Sequence, residues 1–262
     1  MFEAQQFTRN VGIRQRSLRK HCRFGRATEL VYVLATGVVL TVAGTDVDAQ
    51  QTWLDTNADN DWNTVDPNWD GGVVYSEPED AIFAGTGEVV NIDEAGGIDA
   101  NSVTFDVDGY EITGNDLNVT GNITVTNGAD SATISANISN DASANGAGSL
   151  ALSGTVGGNL SNTGTGTVTI TNTVTGDLDS DAGTTIVDTN GVITGTTTID
   201  NSTVVVDNTG AGTGGVLTGT VTVNSGGTLD VNDGTVGNVD ATGTGVADIS
   251  GGTAGAVTTA GA

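Results

Sequence analysis

Residues 156–178, VGGNLSNTGTGTVTITNTVTGDL, hold two copies of one pattern eighteen residues apart: Val156-Gly-Gly-Asn-Leu160 and Val174-Thr-Gly-Asp-Leu178. Between them Val168 and Ile170 alternate with threonines, the period-two signature of a half-buried strand. The pattern recurs at Val119-Thr-Gly-Asn-Ile123, Ile193-Thr-Gly-Thr-Thr197 and Leu217-Thr-Gly-Thr-Val221. Weaker copies start at Ile138 and Val236, with Asn140 and Asn238 in place of the glycine. The starts are therefore 19, 18, 18, 19, 24 and 19 residues apart, and the long interval contains the insertion TGAGTGG at 209–215.

A unit near twenty residues, built of strands of about four residues with corners between them, describes one coil of a parallel β-solenoid. Asn127-Gly128, Asn190-Gly191 and Asp233-Gly234 are expected to supply positive-φ corners. Seven recognisable coils stacked at about 4.8 Å would rise roughly 34 Å. Antiparallel hairpins forming a sandwich are the competing fold, and the near-constant spacing favours the solenoid. The expected inward column is Val168, Ile170, Ile186, Val221, Val223, Leu229 and Val231. In Thr203-Val204-Val205-Val206 the pattern leaves open which valines point inward, and a one-residue slip would reverse every side chain.

Outside the repeats the charge is sharply divided. All seven basic residues, Arg9, Arg14, Arg16, Arg19, Lys20, Arg23 and Arg26, lie before residue 27, as do His21 and Cys22. Leu30 to Thr45 follows as sixteen uncharged residues, between the length of a signal-peptide core and that of a bilayer-spanning helix. Val47-Asp48-Ala49 then offers small or β-branched residues at the −3 and −1 positions, so cleavage is expected between Ala49 and Gln50. The expected organisation is a helical signal peptide over 1–49 (n-region 1–29, apolar core 30–45), an aromatic cap with first strands over 50–111, and solenoid repeats over 112–262. An uncleaved membrane anchor, as in a surface-layer-like protein, is the other reading of the address.

From residue 50 onward the 32 acidic residues less Glu3, Glu29, Asp46 and Asp48 leave 28, with no basic residue against them. Such a surface repels nucleic acid, whose binding depends on Lys and Arg. Without cysteine, that part has no disulfide. From Ile112 only nine residue types occur: Gly, Ala, Val, Ile, Leu, Ser, Thr, Asn and Asp.

Before that point the segment is rich in aromatics. It carries Trp53, Trp62, Asn68-Trp69, Gly71-Gly72, Pro78, Asp80, Phe83, Ser102-Val103-Thr104-Phe105 and Asp108-Gly109-Tyr110. In this order they resemble the start of many autotransporter (type V secretion) passenger domains, and the Gly/Thr/Asn-rich remainder resembles that family's strand repeats. The resemblance covers about residues 50–262. It implies a right-handed β-helix exported by a Gram-negative bacterium and displayed at the cell surface or outer membrane as a stalk or adhesin-like protein. The partners it implies are the export and outer-membrane assembly machinery in transit, and glycans or surfaces of a host or the environment. The family's C-terminal β-barrel has no counterpart in these residues, so the chain reads as the N-terminal part of such a passenger. A free secreted carbohydrate-binding, or carbohydrate-processing, β-helix is the alternative.

Trp53, Trp62, Trp69, Phe83, Phe105 and Tyr110 are expected to cap the first coil, whose unpaired backbone and apolar end need covering. Stacking of the tryptophans on sugar rings is the competing role.

Catalysis is limited by inventory. Ser–His and Cys–His schemes and the usual zinc sites need residues absent after position 26, and phosphate loops need a Lys. A carboxylate-pair glycosidase is the one scheme left open, but no two Asp stand out as its pair. No enzyme, catalytic residue or small-molecule cofactor is therefore expected. Calcium is the one candidate ion. Asp55, Asn57, Asp59, Asp61 and Asp66 fall at positions 1, 3, 5, 7 and 12 of an EF-hand-like loop, though Asn60 replaces its glycine and no helix pattern flanks it. A solvated acidic loop between Trp53 and Trp62 is the other reading.

Overall fold

The computed structural model of the chain describes residues 30–33, 39–42, 50–55 and 58–260. The chain divides into two compact units, residues 1–49 and 50–262.

In the first unit Leu30–Val33 pairs antiparallel with Val39–Val42, Leu30 opposite Val42 and Val33 opposite Val39. These strands stand where a helical signal-peptide core was expected. The β-branched residues Val31, Val33, Val39, Thr41 and Val42 favour extended backbone. No helix among the described residues is long and apolar enough to cross a membrane. Ala49, the residue expected before the cleaved bond, lies outside the described residues. Gln50 opens the first strand of the second unit.

The second unit is an all-β solenoid of about ten turns whose coils recur every 19 residues or so. Coil strands pair in parallel and in order along three faces. The first face runs from Gln50–Trp53 through Glu79–Phe83 and Ile98–Phe105 to Val257–Ala260. The second runs from Asp61–Trp62 to Val246–Ile249. The third is short, from Thr173–Val174 to Thr253–Ala254, and single bridges carry it back through Val156 and Ile138 to Leu117.

Period two is obeyed almost throughout. On the second face Val168 and Ile170 lie inward, in register with Leu150 and Leu152. Val221, Val223, Leu229 and Val231 also point inward, as do Val204 and Val206, which settles the Thr203–Val206 strand. Ile186 does not. In Thr184–Val187 the inward pair is Thr185 and Val187, which stack on Val168 and Ile170. Thr185 is held there by a buried polar group: Asn162 Nδ2 donates to its Oγ1 at 3.0 Å, and Ser180 Oγ lies 3.2 Å away. An inward hydroxyl that makes hydrogen bonds costs little.

The repeat copy at Val119 is displaced by two residues. The third-face column passes through Leu117, bridged to Ile138, while Val119 pairs with Ala100 on the first face. Of the three expected corners, Asn190 (φ 63°) and Gly234 (φ 131°) adopt positive φ, and Asn127-Gly128 does not. That corner closes by hydrogen bonds from Asp130 N–H to the Asn127 carbonyl and from Asn127 Nδ2 to the Asp130 carboxylate.

The repeated glycine and the Asn or Asp after it form one device. Asp141 Oδ1 accepts the N–H of Asn159 at 2.7 Å, Asn159 Oδ1 accepts that of Asp177 at 2.8 Å, and Asp177 Oδ1 accepts that of Thr196 at 2.7 Å. Each side chain reaches onto the coil above and leans under its glycine. A Cβ on Gly158, Gly176 or Gly195 would lie 2.1, 2.2 or 2.3 Å from the supporting oxygen. Glycine is needed because the preceding coil fills the space a side chain would take.

Candidate functional site

The aromatic residues form the interior of the first coils and the seal of their open end. Trp53, Phe83 and Phe105 occupy one inward column. Phe83 stacks on Phe105 with centroids 5.3 Å apart, and Trp62 and Trp69 both pack edge-on against Phe83 at 5.3 and 5.6 Å. Tyr110 closes the cluster, 5.2 Å from Phe83, and donates its hydroxyl proton to the Ala84 carbonyl. Burial, with Glu88 and Asp55 nearby, pushes the Tyr110 phenol up to about 12. All six residues expected in the cap are buried together.

The seal is a strap over residues 68–76. Trp69 bridges Trp53 in antiparallel fashion, with Leu54 N–H donating to the Asn68 carbonyl and Asp70 N–H to the Thr52 carbonyl. The strap thus covers the edge of the first strand, which would otherwise show unpaired backbone. Its tight turn uses Asp70, Gly71 and Gly72 at positive φ. Gln51 fastens it, its Nε2 donating to the Val74 carbonyl while its Oε1 accepts the Ser76 N–H.

Tyr75, 2 % exposed, fills the cluster between Trp62 and Trp69 and donates to the Glu79 carbonyl; burial raises its pKa. Sequence reading missed it. Its only signal was being the remaining aromatic between Trp69 and Phe83. Trp53 Nε1 donates to Glu88 Oε1 at 2.6 Å, a buried-indole partner that composition could not indicate. Trp62 and Trp69 are 0 % exposed, so they offer no ring face to a sugar.

Among the described residues, no three of the carboxylates of the candidate calcium loop come within reach of one ion. Asp55 Oδ1 accepts Asn60 N–H, Asp59 Oδ1 accepts Asn68 Nδ2 and Asp61 N–H, Asp61 Oδ1 accepts Asn91 Nδ2, and Asp66 Oδ2 accepts Asn63 Nδ2. Asn57 lies outside the described residues. Each carboxylate is thus tied to a different protein donor, pinning the segment between Trp53 and Trp69.

Among the described residues, the acids that do come together are Asp179, Asp181 and Asp200, with carboxylate oxygens within 4.8 Å of one another. Partial burial, then Asp181 and Asp200, raises the pKa of Asp179. The cluster adjoins a groove of about 380 Å³ on the first face, lined by Asp141, Asn159, Ser161, Asp177, Asp179 and Thr198 among others. Chemically the groove offers hydroxyl, amide and carboxylate groups and no aromatic or basic side chain, a lining suited to neutral polar or cationic groups and hostile to anions.

No family model matches the chain, and no curated protein or solved structure matches it.

Proposed function

We propose that residues 50–262 are exported structural passenger material of the autotransporter kind, forming a rigid β-helical stalk whose role lies in repetition and reach. One observation carries this reading: a solenoid whose first strand is covered by a strap follows in sequence on an N-terminal segment that holds every basic residue of the chain. The aromatic residues on which the resemblance rests are those that build the seal. Their burial agrees with a structural part for that motif.

The test is to express the chain, together with whatever coding sequence follows it in its gene, in a Gram-negative host. Protease accessibility on intact cells and the N-terminus of the exported material are then read. A surface-accessible protein beginning at Gln50 is expected. Retention in the cytoplasm with Met1 intact overturns the proposal.

The groove on the first face favours one second reading, a secreted module binding a neutral polysaccharide edge-on through hydroxyl and amide groups. Saturable glycan binding lost on Ser161→Trp, with thermal unfolding unchanged, would support it.

A further inference from the structure

The insertion in the repeat is a loop over residues 207–214, at the corner between the second and third faces. Its tip, Thr209 to Thr213, is exposed at every residue, so no buried side chain holds it down. Polar ties do the holding, and they converge on the coil beneath. The Asp188 carboxylate accepts the Thr209 N–H at 2.8 Å and the Thr209 hydroxyl through its other oxygen. The same group accepts the Thr189 N–H at 2.6 Å and so positions Thr189, whose Oγ1 accepts the Gly210 N–H at 2.8 Å. The far end of the loop is fixed without Asp188, by Asn190 N–H to the Thr213 carbonyl and Gly215 N–H to the Asp207 carbonyl.

We propose that Asp188 is an ionisation-dependent latch, holding the tip of this loop against the solenoid when charged and releasing it when protonated. As a carboxylate it takes all three with charge assistance, both N–H groups on Oδ1 and the Thr209 hydroxyl on Oδ2. A protonated carboxyl presents an O–H where the Thr209 hydroxyl donates, and its remaining oxygen is a weaker acceptor.

Among the described residues there is no basic side chain to compete. The tip is Thr-Gly-Ala-Gly-Thr. The coil beneath places neutral Thr171 at the register of Asp188. The nearby acids are Asp207, accepting the Asn208 N–H, and Asp233, 3.3 Å from Asn208 Nδ2. Partial burial alone would raise the Asp188 pKa, but the hydrogen bonds from Thr209 and Thr189 outweigh it and hold the group below its usual value. A lowered carboxylate pKa contributes above the ordinary range and loses its contribution as pH falls through the lowered value, so release belongs to acid conditions.

Amide exchange at Gly210 in the ¹⁵N-labelled full chain tests this at pH 6.5 and pH 2, corrected for intrinsic rates. Protection in the parent protein is expected to fall roughly tenfold or more on acidification, the scale of a charge-assisted hydrogen bond. Asp188→Asn, which keeps the oxygen but not the charge, should show the reduced acid-state protection at both pH values, while Asp233→Asn should behave as the parent. If Asp188→Asn disturbs resonances beyond the loop and its corner, Thr209→Val becomes the deciding variant and must show a loss at pH 6.5. Parent protection unchanged at pH 2, or full protection at pH 6.5 in the deciding variant, overturns the latch.

Discussion

The side-chain oxygen of Asn159 receives the backbone N–H of Asp177, one coil on, at 2.8 Å, and it sits where Gly176 has no side chain. Gly176→Ala should destabilise the solenoid by about 1–3 kcal/mol, because its Cβ meets that oxygen. Asn159→Ala alone should cost about 1 kcal/mol. In the double variant the costs should add to less than their sum, since removing Asn159 vacates the space. Denaturant unfolding of the four proteins measures the coupling, and strict additivity would refute the packing account.

Trp69 holds the strap to the first strand and fills the aromatic cluster. Trp69→Ala should cost about 3–5 kcal/mol. Val257→Ala, at a side chain 49 % exposed on the last coil, should change stability by less than about 0.5 kcal/mol. Thermal unfolding midpoints compare the two, and similar shifts would show that the cap is not the anchor of the fold.

Thr197 lies inward between Leu178 and Val221, and its hydroxyl finds no partner. Thr197→Val should stabilise by about 1–2 kcal/mol. The same change at Thr185, which accepts from Asn162, should destabilise by about 1 kcal/mol, leaving the amide only its longer bond to the Thr184 carbonyl. Equal signs from the two variants would contradict the hydrogen-bond assignments.

Asp179 is a carboxylate whose folded pKa is raised, so its ionisation opposes folding as pH rises through the carboxylate range. Asp179→Asn should therefore stabilise at pH 7 and show no gain at pH 2. The gain should shrink in 1 M salt, where the Debye length falls to about 3 Å. Added salt should also stabilise the parent protein, which lacks any basic residue after Arg26. Urea midpoints at two pH values and two salt concentrations decide both points.

The period was legible because corner and strand residues repeat chemically: Gly with Asn or Asp at the ladder, β-branched residues on alternate positions. Where the chemistry breaks the code, the reading slipped. Ile186 is apolar but outward, since Thr185 meets buried polar partners at 162 and 180 that no local pattern links to it. Val119 carried the motif's lettering while Leu117 carried its position. Aromatic enrichment exposed the cap, but not the strap's fastening by Gln51, a residue of no distinctive neighbourhood. The gathering of Asp179, Asp181 and Asp200 depends on coil length: Asp179 falls beside Thr198 only because that turn has nineteen residues.

Each coil touches only its neighbours, and the strap closes one end. Under tension, such a column should give way one turn at a time. A turn of nineteen residues adds about 4.8 Å of height when stacked and about 65 Å of contour when pulled straight. Such a molecule would be stiff at rest and would lengthen more than tenfold where it yields, as a tether with slack stored in every layer.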